Sequence, residues 1–384
     1  MPEPAVLSTT SLAALKLSGF RNYASLSLAL DGRSVALTGP NGAGKTNLLE
    51  AVSFLSPGRG LRRAALEDVA RRPGNGTWAV AAELRTPSGI IDLGTGIALA
   101  PDGPESRRSV RINHAPARST DALLDHLRVI WLTPSMDGLF TGPASERRRF
   151  LDRAVLAIDR QHGRRVNAFE KAMRGRNRLL SEGSPDRAWL SAIETEMAEL
   201  GVALAAARRE WVGLAVGLIA ENRAGSPFPS AGLALEGLLE ADLAGRPASA
   251  VEDAYRQRLA ADRPRDAAAG RTLAGPHLAD LRVHHAPKQA PAERCSTGEQ
   301  KALLIGLVLA QARLAVRLSG ETPLLLLDEI AAHLDAPRRE ALFGVIEDLG
   351  CQTFMTGTES GVFDSLGDRI QHLAVEDGAI RLSA

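Results

Sequence analysis

The sequence is poor in cysteine. Cys295 and Cys351 are its only two, too few for a disulfide framework and in keeping with a reducing cytoplasm. Lysine is almost as scarce. Only Lys16, Lys45, Lys171, Lys288 and Lys301 occur, so 41 of the 46 basic residues are arginine. Plentiful alanine, glycine and arginine together are what a GC-rich genome produces. No charge sign prevails, because 46 basic residues face 45 acidic ones for a formal net charge of +1. The total therefore carries no signature of a nucleic-acid binder and none against one. Long apolar runs are also missing. Arg208, Arg209 and Glu210 interrupt 200–220, and Gln311 and Arg313 interrupt 302–316, so neither stretch is an unbroken membrane span. The start Met1-Pro2-Glu3-Pro4 lacks the basic residues of a signal peptide. No sustained heptad and no 20–50-residue repeat is present. The expectation is a soluble cytoplasmic protein with no membrane partner.

What is present suits a folded protein. Apolar residues make up 45% and charged residues 24% of 384 positions, a length for two domains or for one domain with a large insertion. The charge is unevenly placed. Residues 321–384 hold twelve acids and four arginines, whereas 141–180 hold eleven basic residues and four acids. The neutral total is a cancellation between these two segments.

Short alternating runs predict strands at 12–18, 24–30 and 34–38, then a glycine-rich loop at 39–46 and a helix at 46–55. Residues 77–112 read as β-rich hairpins separated by clusters such as Thr86-Pro87-Ser88-Gly89. From about 118 the period becomes helical, with long helices over 144–181 and 187–222, a Pro/Gly-rich patch at 224–247 and a helix at 248–261. Beyond about 270 the pattern is α/β again: a helix near 297–318, a strand at 323–327, a helix at 337–348, and strands at 351–356 and 371–375. The fold expected is an α/β nucleotide-binding head interrupted by a mostly helical lobe, divided as 1–116, 117–267 and 268–384.

Gly39-Pro40-Asn41-Gly42-Ala43-Gly44-Lys45-Thr46 fits G-x-x-x-x-G-K-[ST] between an apolar strand and a helix. Glycines there let backbone N–H groups turn inward on phosphate oxygens, and the helix adds its N-terminal partial charge. Lys45 is expected on the β- and γ-phosphates of ATP and Thr46 on Mg²⁺. Leu324-Leu325-Leu326-Leu327 is a buried parallel strand ending in Asp328-Glu329. Asp328 is expected to hold Mg²⁺ through its water shell, and Glu329 to act as the general base on the attacking water. A third element, Ser296-Thr297-Gly298-Glu299, opens a long helix. It reads equally as a capping box, with Ser296 and Glu299 three residues apart.

That element also resembles the signature of the ABC ATPase superfamily, particularly its SMC-like branch, where the helix N-terminus meets the γ-phosphate of a second protomer. Thr297 stands where the first glycine is usual. Leu334-Asp335 is placed like the dimer-contacting loop of that superfamily. Thr356-Gly357-Thr358 stands where transporter subunits carry a switch histidine, and Trp131–Ser135 stands where many heads carry a glutamine. Both departures speak against the alternative of an ABC transporter subunit. Beyond these motifs, Leu15-Lys16-Leu17-Ser18-Gly19-Phe20-Arg21-Asn22-Tyr23, Arg147-Arg148-Arg149-Phe150-Leu151-Asp152, Arg176-Asn177-Arg178-Leu179-Leu180 and Gly275-Pro276-His277-Leu278-Ala279-Asp280-Leu281 resemble the bacterial RecF family over nearly the whole chain. The resemblance implies an ABC-type head with a helical lobe and ATP-dependent dimerisation. It implies weak DNA-stimulated hydrolysis and binding of double-stranded and gapped DNA. It also implies work with RecR, RecO and RecA in gap repair, fork maintenance and the SOS response. A third possibility is an adaptor that uses ATP only as a conformational ligand.

On one helix, Arg149, Arg153, Arg160, Arg164, Lys171, Arg174 and Arg178 fall in a stripe about 80° wide, opposite Leu151, Val155, Ile158, Val166, Phe169, Met173 and Leu180. The stripe is either a phosphate-contacting face or a solvated one, and Gly163 or Gly175 would scatter it by breaking the helix. Other residues stay open. His277 is a lobe contact or a core histidine. Tyr23 stacks on adenine or packs. Arg59, Arg62 and Arg63 touch nucleotide or lie in a surface loop. His284, His285 and Cys295 lack zinc spacing. Residues 224–247 and 284–292 match no motif.

Overall fold

The computed structural model describes residues 9–100, 103–104, 107–182, 186–222, 226–330 and 334–382. Two compact units form. The first takes the chain up to Asp137 and again from Leu304, and the second takes Gly138–Leu303.

In the first unit, β1 (Ser11–Phe20), β2 (Tyr23–Ala29), β4 (Trp78–Thr86), β5 (Gly89–Ile97), β8 (Ser109–Ile112) and β9 (Ala115–Pro116) make an antiparallel sheet in the order β2-β1-β4-β5-β8-β9. β6 (Leu99–Ala100) and β7 (Gly103–Pro104) add a small ribbon. The second sheet runs β10-β14-β15-β3-β16-β17, from β3 (Ser34–Thr38), β10 (Val129–Leu132), β14 (Leu324–Leu327), β15 (Thr353–Gly357), β16 (Ile370–Glu376) and β17 (Ala379–Leu382). Its first five strands are parallel and β17 is antiparallel. The residue patterns follow from burial. β10 and β14 are buried on both faces and read as unbroken apolar runs, whereas in β1 Leu15 and Leu17 point inward and Lys16 and Ser18 outward. Helix α1 (Lys45–Ser53) joins the core made by both sheets. Leu48, Leu49 and Val52 pack there with Leu15, Phe20, Val35, Leu37, Leu324 and Leu326.

The second unit holds α2 (Ala144–Leu156), α3 (His162–Ser181), α4 (Arg187–Glu221), α5 (Leu238–Asp242), α6 (Ala248–Ala261), α7 (Arg263–Ala269) and a sheet in the order β11-β12-β13, from β11 (Ala231–Glu236), β12 (Asp280–His285) and β13 (Ala290–Pro291). α8 (Thr297–Ser319) begins in this unit and ends in the first, where α9 (Ala336–Leu349) follows. α8 is the one helix among the described residues long and apolar enough to cross a membrane, and 67% of its most apolar window is buried, as in a core helix. Phe169, Met197, Val202, Val251, Tyr255 and Leu259 form the core of the second unit. Arg176 is fully buried there. Its guanidinium reaches Glu194 at 3.0 Å, Asp266 at 2.7 Å and the Leu259 carbonyl at 2.7 Å. Leaving those two acids without it would cost about 3–5 kcal/mol. The Arg-Asn-Arg segment therefore begins with a structural residue.

Three features differ from the sequence expectation. Val129–Leu132, placed in a helical region, is strand β10, paired in parallel with β14 so that Leu132 lies opposite Leu327. The division of the chain falls at 137/138 and 303/304 rather than 116/117 and 267/268. Residues 117–137 include a strand of the first unit's parallel sheet, and β12 pairs with β11 inside the second unit. The helix expected over 144–181 is two helices. The Asp159 carboxylate accepts the Gln161 N–H at 2.9 Å, a local turn that competes with helical bonding, and buried His162 anchors the restart on Asp152 at 2.9 Å. Gly163 and Gly175 lie inside α3 and do not break it.

Candidate functional site

β3 delivers the chain into the loop 39–44, and α1 begins at Lys45. Two glycines here are steric necessities. A Cβ on Gly39 would stand 2.2 Å from the Val375 carbonyl oxygen, and one on Gly44 would stand 2.5 Å from Asn22 Nδ2. Both have positive φ, at 144° and 116°. Gly44 caps α1 without a side chain, so the first N–H groups of the helix are left for a ligand. Lys45 is buried, and its Nζ donates to the Gly39 carbonyl at 2.6 Å and the Pro40 carbonyl at 2.9 Å. Burial lowers its pKa, an effect that nearby Glu329 and Asp328 oppose.

The loop is braced from beneath. Tyr23 is fully buried and donates from its hydroxyl to the Gly44 carbonyl at 3.0 Å, so it packs and offers no ring for stacking. Asn22 Nδ2 donates to the Ala43 carbonyl at 3.1 Å, and Asn47 Nδ2 donates to Asn22 Oδ1 at 2.7 Å. Fully buried Glu50 on α1 pairs with Arg21 at 2.7 Å and Arg62 at 2.8 Å. Arg62 also donates to Asn47 Oδ1 at 2.5 Å. Arg62 is thus tied to the phosphate-loop helix and is not a free loop residue. Arg108 gathers carbonyls past the far end of α1. It donates to Ser56 at 3.1 Å, to Gly58 at 2.9 Å and to Phe54, and burial pushes its pKa down to about 10.

Across the sheet, Thr46 Oγ1 donates to Asp328 Oδ1 at 2.9 Å, and Thr356 Oγ1 donates to the same oxygen at 2.9 Å. Thr356 Oγ1 also accepts the Glu329 N–H at 2.7 Å. Glu329 leaves the strand with φ 50°, a left-handed conformation that costs a non-glycine residue about 1–3 kcal/mol. Burial raises the Asp328 pKa, and the two threonine hydroxyls pull against that rise. A hydroxyl and a carboxylate oxygen so close suit a hard divalent cation. Among the described residues no cluster of three or more His, Cys, Asp or Glu could hold a metal by itself. Thr46 and Asp328 thus offer one hydroxyl and one carboxylate as oxygen donors.

In the second unit, Ser296 and Glu299 form the capping box. The Ser296 N–H donates to Glu299 Oε2 at 3.1 Å, and the Glu299 N–H donates to Ser296 Oγ at 3.4 Å. The Lys288 ammonium and the Ser296 N–H hold the Glu299 carboxyl down at about 2. Ser296, Thr297 and Gly298 are exposed, and the space around the Gly298 Cα is open. Leu334 is buried, and Asp335 caps α9 by accepting the Arg338 N–H at 2.9 Å. Half-buried His277 bonds the Thr272 carbonyl through Nε2 at 3.0 Å, and burial lowers its pKa.

The chain matches the RecF/RecN/SMC N-terminal domain family over residues 11–381. It is 59% identical over 369 residues to the DNA replication and repair protein RecF of Rhizobium meliloti, covering 96% of this chain and 98% of that protein. The chain belongs to the RecF family. RecF of Mesorhizobium japonicum is 57% identical over 371 residues, covering 97% of each. The fold is that of a solved RecF–ATP structure from the RecFOR pathway, with a TM-score of 0.85 at 22% identity over 100% of both chains. A lesser likeness in fold joins this chain to an SMC head bound to the C-winged helix domain of ScpA, with a TM-score of 0.55 at 18% identity over 97% of both chains. The function is accordingly that of RecF-family DNA replication and repair proteins, built on an ABC-ATPase-like head.

The basic stripe is redrawn in this RecF-family chain. Arg149 and Arg153 lie half-buried on α2, and exposed Arg160 lies in the turn between helices. Arg149 pairs with Glu146. Arg164, Lys171, Arg174 and Arg178 are exposed on α3 alone, and within that helix they span about 80°. His162, Phe169, Ala172, Arg176 and Leu179 face inward on its opposite side. Arg147 and Arg176, counted in the segment's basic excess, are consumed by buried acids. Sequence reasoning placed Thr356 only as the residue group replacing a switch histidine. Its bonds to Asp328 and Glu329 required the pairing of β14 with β15 to be seen.

Proposed function

We propose that the chain is an ATP-dependent DNA-binding protein of recombinational gap repair and replication-fork maintenance, a weak DNA-stimulated ATPase acting in the cytoplasm. The observation that carries the reading is the convergence of Thr46 and Thr356 on Asp328 Oδ1, with Glu329 held by the same Thr356 hydroxyl. Residues 39–46 cradle the ATP phosphates through backbone N–H groups and Lys45. Thr46 and Asp328 would hold Mg²⁺, which when bound would neutralise charge on the β- and γ-phosphates. Glu329 takes a proton from water as its oxygen attacks the γ-phosphorus. The bond to the β-γ bridging oxygen breaks, and ADP and phosphate leave. Ser296, Thr297, Gly298 and Glu299 of one protomer close on the nucleotide of the other, with Leu334 and Asp335 at the dimer contact. The ATP-bound homodimer clamps double-stranded or gapped DNA, and hydrolysis reopens it. The solved RecF structure of like fold is described with ATP in the RecFOR pathway; RecR and RecO as partners, and RecA as the protein loaded, are what the family resemblance implies.

Thr356→Val removes a donor to Asp328 and the acceptor of the Glu329 N–H. A hydrogen bond to a charged group is worth about 1.5–3 kcal/mol, so turnover at saturating ATP is expected to fall about 10–100-fold, with ATP affinity nearly unchanged. Phosphate release and calorimetry separate the two effects. Unchanged turnover would remove Thr356 from the machinery.

The DNA part is tested by affinity for duplex and gapped oligonucleotides across salt concentrations, with and without ATP. Binding through arginine–phosphate contacts gives a linear fall of log affinity with log salt, by about 0.9 per phosphate contacted on duplex. Arg164→Gln with Arg178→Gln is expected to reduce that slope by about two. An unchanged slope would move the DNA contact off α3.

A further inference from the structure

α3 and α4 lie side by side and antiparallel. Gly175 meets Ile193, Arg176 bonds Glu194, and Phe169 meets Gly201. With 1.5 Å of rise per residue in each helix, this pairing sets Trp189 level with residues 179–181, at the tip of the hairpin. The chain has four tryptophans. Trp78, Trp131 and Trp211 are at most 5% exposed, whereas Trp189 is 51% exposed. A large aromatic ring left in water on a rigid first helical turn is a costly placement. The turn is fixed, because the Asp186 carboxylate accepts the N–H groups of Ala188 and Trp189 at 2.8 and 3.1 Å.

Along its solvent side α3 carries Lys171, Arg174 and Arg178, with Glu170 paired to Arg174 and exposed Glu182 at the helix end. On α4, Trp189 stands about 40° from Ile193, away from the buried face of Leu190, Glu194 and Met197. On α3, Arg178 stands about 60° from Gly175, away from buried Ala172, Arg176 and Leu179. Both therefore flank the seam of the two helices on its solvent side. Lys171 and Arg174 continue the line from Arg178 over about 10 Å. Arg174 pairs with Glu170 at 3.5 Å, and no ion pair to Lys171 or Arg178 occurs among the described residues. The acids of α4 on this side, Glu196 and Glu199, lie about two turns or more from the tip. They confine a phosphate track to α3, while beside Trp189 the Asp186 carboxylate is taken up by the Ala188 and Trp189 N–H groups and Glu182 stands exposed.

We infer that the start of α4 beside α3 binds unpaired DNA, with Trp189 stacking on an exposed base and Lys171, Arg174 and Arg178 holding the adjoining phosphates. Every base has a π-face, so an exposed aromatic beside a row of cations takes unpaired nucleotides without sequence preference, whereas the stacked bases inside a duplex are closed to it. This rests on the DNA-binding reading and adds to it a residue that distinguishes gapped from continuous duplex. Arg178 then meets phosphate in both substrates, and Trp189 contributes only where a base is free.

The test compares Trp189→Ala, Trp189→Phe and the parent on continuous duplex and on the same duplex carrying a single-stranded gap. The expected result is unchanged duplex affinity for all three. Gapped-DNA affinity falls about tenfold in Trp189→Ala and is largely restored in Trp189→Phe. In the parent, gapped DNA quenches the exposed tryptophan fluorescence and continuous duplex does not. If Trp189→Ala binds gapped DNA as tightly as the parent, or the fluorescence is not quenched, the inference is overturned and the exposed ring serves a protein partner. If the parent binds neither DNA, the DNA-binding reading itself falls.

Discussion

Lys45→Ala is expected to weaken ATP binding about a hundredfold or more while leaving the fold intact. The ammonium sits buried at the mouth of the loop, donating to the Gly39 and Pro40 carbonyls at 2.6 and 2.9 Å. Those acceptors belong to the loop itself and keep access to water when the side chain is removed. A phosphate, however, loses its cation. Two charge-assisted hydrogen bonds at about 1.5–3 kcal/mol each correspond to roughly a hundredfold or more in affinity. Titration calorimetry with ATP measures the loss, and thermal unfolding without nucleotide serves as the control. An affinity within tenfold of the parent would mean that Lys45 does not meet the phosphates.

Much of this site is legible in the sequence, for local reasons. The loop 39–46 announces itself through glycines that this backbone requires and a lysine in a chain with few. The strand Leu324–Leu327 is legible because burial on both faces demands an unbroken apolar run. α4 spans Arg187–Glu221 against an expected 187–222, because Asp186 marks its start and a 35-residue period is hard to mistake. Elements defined by distant partners escape. Val129–Leu132 is four apolar residues beside helical patterns, and only β14, almost 200 residues on, makes it a strand. β12 is invisible without β11. Thr356 has no spacing relation to Asp328, so its double hydrogen bond follows from sheet order alone. Arg62 and Arg108 look like surface arginines until Glu50 and the carbonyls past α1 claim them. The stripe at 149–178 shows the opposite failure. A helical wheel assumes one continuous helix, and the Asp159 turn divides it.

Glu329→Gln is the other large effect. Its carboxylate follows Asp328 by one residue, and its backbone N–H is held in a left-handed conformation by Thr356. Glutamine keeps the size and the backbone N–H bond, so ATP still binds and the site still closes. It removes the proposed general base, a contribution of about 10²–10⁴-fold. A dimer whose opening depends on hydrolysis then accumulates. Trapping follows only if each nucleotide is shared between a phosphate loop and a partner's Ser296–Glu299 helix start.

The central claim is that ATP closes two copies of this chain on one another. The most direct measurement is the mass of Glu329→Gln in solution, by light scattering or sedimentation, with saturating ATP and Mg²⁺ and without them. A monomer without nucleotide is expected to become a stable dimer with it, and Glu329→Gln combined with Ser296→Arg to remain monomeric. A Glu329→Gln protein that binds ATP and stays monomeric at saturation would contradict it.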